Sequence, residues 1–373
     1  MREIVNPFLL FGYVSEEYFC DREHETAELI SALRNGRNVT LRSPRRIGKT
    51  GLIHHVFRRM QQETPECRCF YVDIMATKSL SDFVMELGKA VIGQLDTPLQ
   101  KAEGYITKFF KSCRLYFSAD PLSGSPKLGI DLVAEDSAIT LDEIFAYIKN
   151  SERECYIAID EFQQIAQYPE TNMEALLRSH IQQLTNVHFI FAGSKQHLMS
   201  DIFNSAKRPF YRSTEKMNLD VISENKYFSF AAQWMQTIGV DLPEDSFHKI
   251  YSLTDGGTWY VQYILNRLFE IRPDRIDDET ITSCLNYIIH REEDDYKKMY
   301  NLLTSNQGAV LKAIAQAKIL QNPTANEILR QYNLPAPSSV KRALDFLVDN
   351  EYVYQTDNGY KVYDIFMSLW LCR

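Results

Sequence analysis

The sequence predicts an α/β core, a parallel sheet with helices on both faces, followed by a helical segment and a C-terminal winged helix. Three observations carry this. Up to residue 222, short β-rich runs alternate with stretches of helical spacing, the pattern of strands joined by covering helices. Between the first such run and its helix lies Ser43-Pro44-Arg45-Arg46-Ile47-Gly48-Lys49-Thr50, a loop built to hold phosphate. Beyond residue 222 the spacing turns helical and ends on two β-rich runs joined by Asn358-Gly359, a hairpin signal.

The first strand is expected at Asn38 to Leu41 and its helix from Leu52 to Phe57. A loop between them can gather backbone N–H groups and a helix N-terminus around an anion, given a tight turn, which Gly48 permits. The residues expected to bind nucleotide run from Ser43 through Pro44, Arg45, Arg46, Ile47 and Gly48 to Lys49, Thr50 and Gly51. Lys49 is the mobile cation for the β and γ phosphates, and the Thr50 hydroxyl is placed for Mg²⁺, which takes oxygen ligands. Ser43 stands where such loops usually begin with glycine; serine is small enough to enter the turn.

Further strands are expected at Phe70 to Ile74, Cys155 to Ile159, Val187 to Ala192 and Met217 to Leu219. The second of these is an apolar run that ends in Asp160-Glu161, as for a strand buried on both faces whose tip reaches a crevice. There Asp160 would orient Mg²⁺ and Glu161 would polarise the attacking water. A short helix should follow from Phe162 to Ala166. At the tip of the next strand Ser194 is a candidate γ-phosphate sensor, or the N-cap of a helix beginning near Gln196.

Composition limits the alternatives. A chain of 373 residues suggests two or three domains, expected at 1–222 (with an inserted segment at about 95–140), 223–300 and 301–373. No apolar run approaches the ~20 residues of a membrane span, and the first residues lack a secretory pattern, so a cytoplasmic location is expected. The seven cysteines are scattered; the two near ones, Cys67 and Cys69, are expected to face apart, and free thiols are the reading. The net charge of −8 offers no global attraction to nucleic acid.

Within the insertion Tyr105, Phe109, Phe110, Tyr116 and Phe117 interleave with Lys101, Lys108, Lys111 and Arg114. Such a pattern can bind single-stranded nucleic acid; Tyr105, Phe109, Phe110 and Cys113 also fit one face of an amphipathic helix packed on the core, the favoured reading, with turns from Asp120 to Pro126. Helices are then expected at Asn225 to Ile238, Ser246 to Leu253, Trp259 to Ile271 and Asp277 to Leu303. In the last segment Gln307 to Ala317, Ala325 to Tyr332 and Ser338 to Asp349 precede the hairpin, a helix-turn-helix variant. From residue 301 onward seven basic residues face six acidic ones, so DNA and protein are equally open as partners.

In chain order, Asn6-Pro7-Phe8, Phe19-Cys20-Asp21-Arg22-Glu23, the Ser43 to Thr50 loop, Ile159-Asp160-Glu161, Phe191-Ala192-Gly193-Ser194, Pro209-Phe210-Tyr211-Arg212, Asp255-Gly256-Gly257 and Tyr363 to Leu371 resemble the archaeal-type ATPases of the signal-transduction (STAND) branch of AAA+ P-loop NTPases. The resemblance implies a nucleotide-binding fold taking ATP or ADP with Mg²⁺, a helical lid, and homo-oligomerisation as an open state. It implies that the segment around Arg22 packs near the adenine, with Asp21 in place of the usual glycine. It also implies that Arg212, and more weakly Arg208, is a finger contacting the γ-phosphate. Some relatives carry a nuclease-like domain after the winged helix; none is expected here.

Two readings follow: a slow Mg-dependent ATPase in which Lys49, Glu161 and Arg212 are catalytic, and a nucleotide-controlled switch regulating the winged helix. A third is a DNA-binding or protein-interaction regulator in which nucleotide is structural and turnover negligible.

Overall fold

The computed structural model describes residues 6–92, 94–95, 110–119, 126–132, 136–151, 153–356 and 358–373. The chain divides into two compact units, Phe11–Ile222, and Ser223–Arg373 together with the residues up to Leu10.

In the first unit five strands form one parallel sheet: β1 (Val39–Arg42), β2 (Arg68–Asp73), β5 (Cys155–Asp160), β6 (Val187–Gly193) and β7 (Glu215–Asn218), in the spatial order β2-β5-β6-β1-β7. All six residues of β5 are buried, as expected for a strand covered on both faces. Its side chains alternate between two cores. Ile157 and Ile159 join Phe189, Phe191, Phe203 and Phe210 on one face, against α3 (Leu80–Val91) and α4 (Ser137–Asn150). Tyr156 and Ala158 join Ile190 and Ala192 on the other, against α1 (Glu23–Arg34) and α2 (Lys49–Glu63). Because every strand is parallel, their carboxyl ends open at one edge of the sheet.

The insertion departs from expectation. Cys113–Ala119 (β3) and Pro126–Leu132 (β4) pair as an antiparallel hairpin, so Cys113 begins a strand and does not extend a helix. Phe110 is buried in the core. Lys101, Tyr105, Lys108 and Phe109, together with residues 120–125, lie outside the described residues. Cys67 and Cys69 also depart: two positions apart, they share a face as strand alternation requires, and both lie against the same core.

The second unit is helical. α5 (Met173–Ile181) and α6 (Gln196–Asn204) close the first unit, and α7 (Glu224–Gln236), α8 (Glu244–Leu253), α9 (Thr258–Ile271) and the 24-residue α10 (Asp278–Asn301) build the second. Phe8, fully buried, lies edge-on to Phe230 and Phe269, and the side-chain amide of Asn6 donates to the Asn266 carbonyl at 2.8 Å while that of Asn266 donates to the Phe8 carbonyl at 2.7 Å. A capping box between Thr304 and Gln307 starts the winged helix: α11 (Ser305–Ala317), α12 (Asn326–Gln331), α13 (Pro337–Asp349), the hairpin β8 (Val353–Thr356) and β9 (Gly359–Val362), and α14 (Ile365–Leu371).

The winged helix is seated on α9 by aromatic packing. Phe366 is 1% exposed, and its ring centre lies 6.1, 5.0 and 5.8 Å from those of Trp259, Tyr260 and Tyr263. Around this plug the Tyr260 hydroxyl donates to the Tyr363 carbonyl at 3.3 Å and Lys361 pairs with Asp255 at 3.1 Å. Asp364 caps α14 by accepting from the Met367 N–H at 3.1 Å.

Candidate active site

β1 ends at Arg42, and the chain turns through Ser43–Gly48 before α2 begins at Lys49. Gly48 is the N-cap of α2 at φ 102°, a conformation an L side chain strains to adopt; Arg46 is also left-handed at φ 66°. The Ser43 hydroxyl is buried and donates to the Pro44 carbonyl at 2.8 Å, so serine enters the position with its side chain folded onto its own loop.

The Lys49 ammonium is buried and lies 3.4 Å from both oxygens of Ser43 and 3.5 Å from the Pro44 carbonyl, contacts too long to be strong. Burial holds its pKa below the usual lysine value, the carboxylates of Glu161 and Asp160 work against that, and Arg45 adds to it. A desolvated cation with weak partners is suited to an incoming anion.

Asp160, at the tip of β5, is 4% exposed and meets three donors. Oδ2 accepts from Thr50 Oγ1 at 3.0 Å and from the Tyr71 hydroxyl at 2.7 Å, and Oδ1 accepts from the Glu161 N–H at 2.9 Å. Glu161 itself turns into the left-handed region at φ 56°, a conformation that costs energy and is often found at functional sites. Its Oε2 accepts from Ser194 Oγ at 2.8 Å and from Gln163 Nε2. The N-cap of α6 is Lys195, so Ser194 serves Glu161 and not that helix. The close fit continues at Gly193, where a Cβ would come within 2.3 Å of Gln163 Oε1 and 2.6 Å of Met199 Sδ. Asp73 stands opposite Asp160 in the β2–β5 register. Its carboxyl is pushed above the usual range first by burial and further by Asp160 and Glu161.

Hydroxyl and carboxylate oxygens are the donors a hard divalent cation takes, and Thr50 and Asp160 fit that requirement. Among the described residues no group of three or more His, Cys, Asp and Glu side chains could hold a metal ion; such a cation would take further ligands from phosphate and water.

The remaining candidates fall elsewhere. Arg22 is 3% exposed, and its guanidinium reaches Glu25 at 2.6 Å, the Asp220 carbonyl at 2.6 Å and the Ile47 carbonyl at 3.4 Å. It thus braces the loop through protein partners, and both Asp21 and Arg22 adopt positive φ, 57° and 77°; aspartate tolerates the conformation that glycine usually supplies there. Gly51 faces the Phe19 ring, with room for a Cβ at 3.4 Å. Arg45 Nε lies 3.5 Å from Ser194 Oγ. Among the described residues the contacts of Arg212 are local: its N–H donates to the Phe203 carbonyl and its guanidinium lies 5.3 Å from the Tyr211 ring centre. Arg208 is taken up by Glu174 and Asp201.

Sequence reasoning missed Tyr71, Gln163 and Asp73. The one signal for the pair on β2 is their spacing of two, which puts them on one face of a strand predicted to lie in the sheet.

Comparison with known proteins agrees with this geometry. A family model for an ATPase domain predominantly from Archaea matches residues 19–264, and one described as a probable winged helix domain matches residues 294–373. None of the curated proteins compared matches the chain. Among solved structures, a Walker-type ATPase of Pyrococcus abyssi is similar over 98% of this chain and 100% of its own, with TM-score 0.66 and 19% identity. The ORC1 protein of Aeropyrum pernix, solved in complex with DNA, is similar over 98% of this chain and 95% of its own, with TM-score 0.55 and 14% identity. The ORC2 protein of that organism, solved as ADPNP–ADP complexes, is similar over 96% and 94%, with TM-score 0.56 and 14% identity. At such identities the likeness is one of fold. With the family model covering most of the chain and a phosphate-type loop facing a strand-end carboxylate pair, the protein belongs to the family of ATPase domains found predominantly in Archaea, here followed by a C-terminal winged helix.

Proposed function

We propose that the protein binds ATP and ADP with Mg²⁺, hydrolyses ATP slowly to ADP and phosphate, and uses the nucleotide state to control its winged helix. The observation that carries the reading is the meeting of Thr50 with Asp160 beside the buried, weakly partnered Lys49. The loop from Ser43 to Gly51 binds the phosphates through its amides, and Lys49 adds a charge that desolvation makes effective. Thr50 and Asp160 hold the cation, which when bound supplies neutralising charge at the phosphates. Glu161 takes the proton of the attacking water. Ser194 is placed to report the γ-phosphate, because its hydroxyl already rests on Glu161. Arg212 acts as a finger on the γ-phosphate, of a neighbouring subunit or within one chain.

Slow turnover is favoured by the two donors, from Ser194 and Gln163, that occupy Glu161 Oε2. An attacking water must then compete with these donors for Oε2 or meet the carboxylate at Oε1. The domain roles follow: residues 11–222 are the ATPase core, 223–300, with residues 6–10 packed on them, the lid and connector, and 301–373 the winged helix. Phe366 ties the winged helix to α9, so a swing of the lid carries the wing with it. The wing presents itself to DNA or to a protein. As a cytoplasmic protein the chain would meet both; no helix among the described residues is long and apolar enough to cross a membrane.

Phosphate release and nucleotide binding by wild type, Glu161→Gln and Arg212→Ala test the reading. Glu161→Gln should keep binding and lose roughly 10²- to 10⁴-fold in turnover, the range of general base catalysis. A wild type that releases no phosphate even when oligomeric sinks the ATPase reading and leaves the regulator with structural nucleotide. A mobility shift absent even at low salt removes DNA as the partner, since phosphate-driven affinity is greatest there.

A further inference from the structure

We propose that Tyr71 is a positioning residue of this site: its hydroxyl fixes the Asp160 carboxylate in the orientation that serves Thr50 and the cation. The inference rests on the reading of Thr50 and Asp160 as the cation-holding pair. The phenol donates to Asp160 Oδ2 at 2.7 Å, the oxygen that also accepts from Thr50 Oγ1 at 3.0 Å, while the backbone of Glu161 holds Oδ1 at 2.9 Å. A carboxylate gripped at both oxygens has one plane. Without the phenol, Oδ2 keeps only Thr50, the group whose own oxygen the cation needs.

Tyr71 is itself held in place by the helix that carries Thr50. Its ring packs against His54, with centroids 4.6 Å apart and planes at 42°, and His54 lies one turn beyond Thr50 on α2. Two residues of one helix thus set the two donors of one carboxylate oxygen. Toward the carboxylate the phenol donates, and burial with the neighbouring Asp160 pushes its pKa well above the usual value. Tyr71 also lines an open groove of about 530 Å³ with Tyr13, His54 and Arg58. A tyrosine kept only for packing would need no such bond; the hydroxyl points to the chemistry of its partner.

The test titrates Mg²⁺ into the full chain with a fluorescent ATP analogue and measures the Mg²⁺ midpoint, alongside analogue affinity in EDTA. Tyr71→Phe should raise the Mg²⁺ midpoint about three- to tenfold, the loss expected for one ordinary net hydrogen bond, and leave the metal-free affinity within about twofold. His54→Ala, which strips the ring neighbour and keeps the hydroxyl, should change the midpoint less than Tyr71→Phe. On an Asp160→Asn background Tyr71→Phe should add nothing further. A wild-type midpoint in Tyr71→Phe overturns the proposal alone. So does an equal shift in the metal-free affinity, which would mark general damage. If wild-type binding ignores Mg²⁺, or Lys49→Ala binds as tightly as wild type, the site reading falls and takes the proposal with it.

Discussion

The phosphate-loop crevice and the seat of the winged helix are both junctions, and they are held by opposite means. In the crevice, buried polar groups of Lys49, Asp160, Ser194 and Ser43 are arranged by left-handed backbone at Arg46, Gly48 and Glu161. At the seat, an apolar plug, Phe366, fills a ring of Trp259, Tyr260 and Tyr263, with one salt bridge at the margin. Polar burial and strained backbone reduce stability for the sake of a site ready for its ligand. Aromatic burial has no such penalty and is indifferent to what the ligand is. Under the proposed function, the crevice is where nucleotide would act, and the seat is what would keep the winged helix fixed to α9.

Substitutions can break that contrast, the largest effect first. Phe366→Ala should cost about 3–5 kcal/mol in the helical unit, the range for truncating a buried phenylalanine, measured by urea unfolding. Nucleotide affinity should stay within about twofold; a large loss would mean that the seat shapes the crevice. Arg22→Leu should cost about 2–3 kcal/mol, since charged hydrogen bonds to Glu25 and the Asp220 carbonyl are lost and Glu25 is left unpaired. It should also weaken nucleotide binding, because the Ile47 carbonyl loses its brace. Stability without any change in affinity would reduce Arg22 to a structural pin. Asp364→Ala should cost only about 1 kcal/mol, the worth of an N-cap. A fall in the melting temperature beyond that would show that α14 needs its cap to present Phe366.

The loop and the Asp160-Glu161 pair were legible because each is contiguous: spacing alone declares them. The strand order was not, and with it went Tyr71, whose partner lies 89 residues away and is defined only once β2 and β5 are in register. Gln163 was hidden for another reason. Its bond to Glu161 needs the left-handed turn at Glu161, which no periodicity announces. Arg22 was expected to lie near the adenine; beside Glu25 its partners are two backbone carbonyls, and carbonyls leave no trace in sequence. Cys113 was placed on a helix face with Tyr105, Phe109 and Phe110, yet it opens the hairpin strand Cys113–Ala119, because so short a run satisfies both periods.

The pairing of Asn6 with Asn266 bears on how the chain is made. Its partners are separated by 260 residues, and Phe8 must wait as long for Phe269. A ribosome delivers the whole of Phe11–Ile222 before any helix that shelters Phe8 exists, so the sheet unit is free to fold first while Phe8 waits for its partners. Only after residue 269 leaves the tunnel can Phe8 be stowed, and the helical unit is finished by joining segments made on either side of the whole sheet unit.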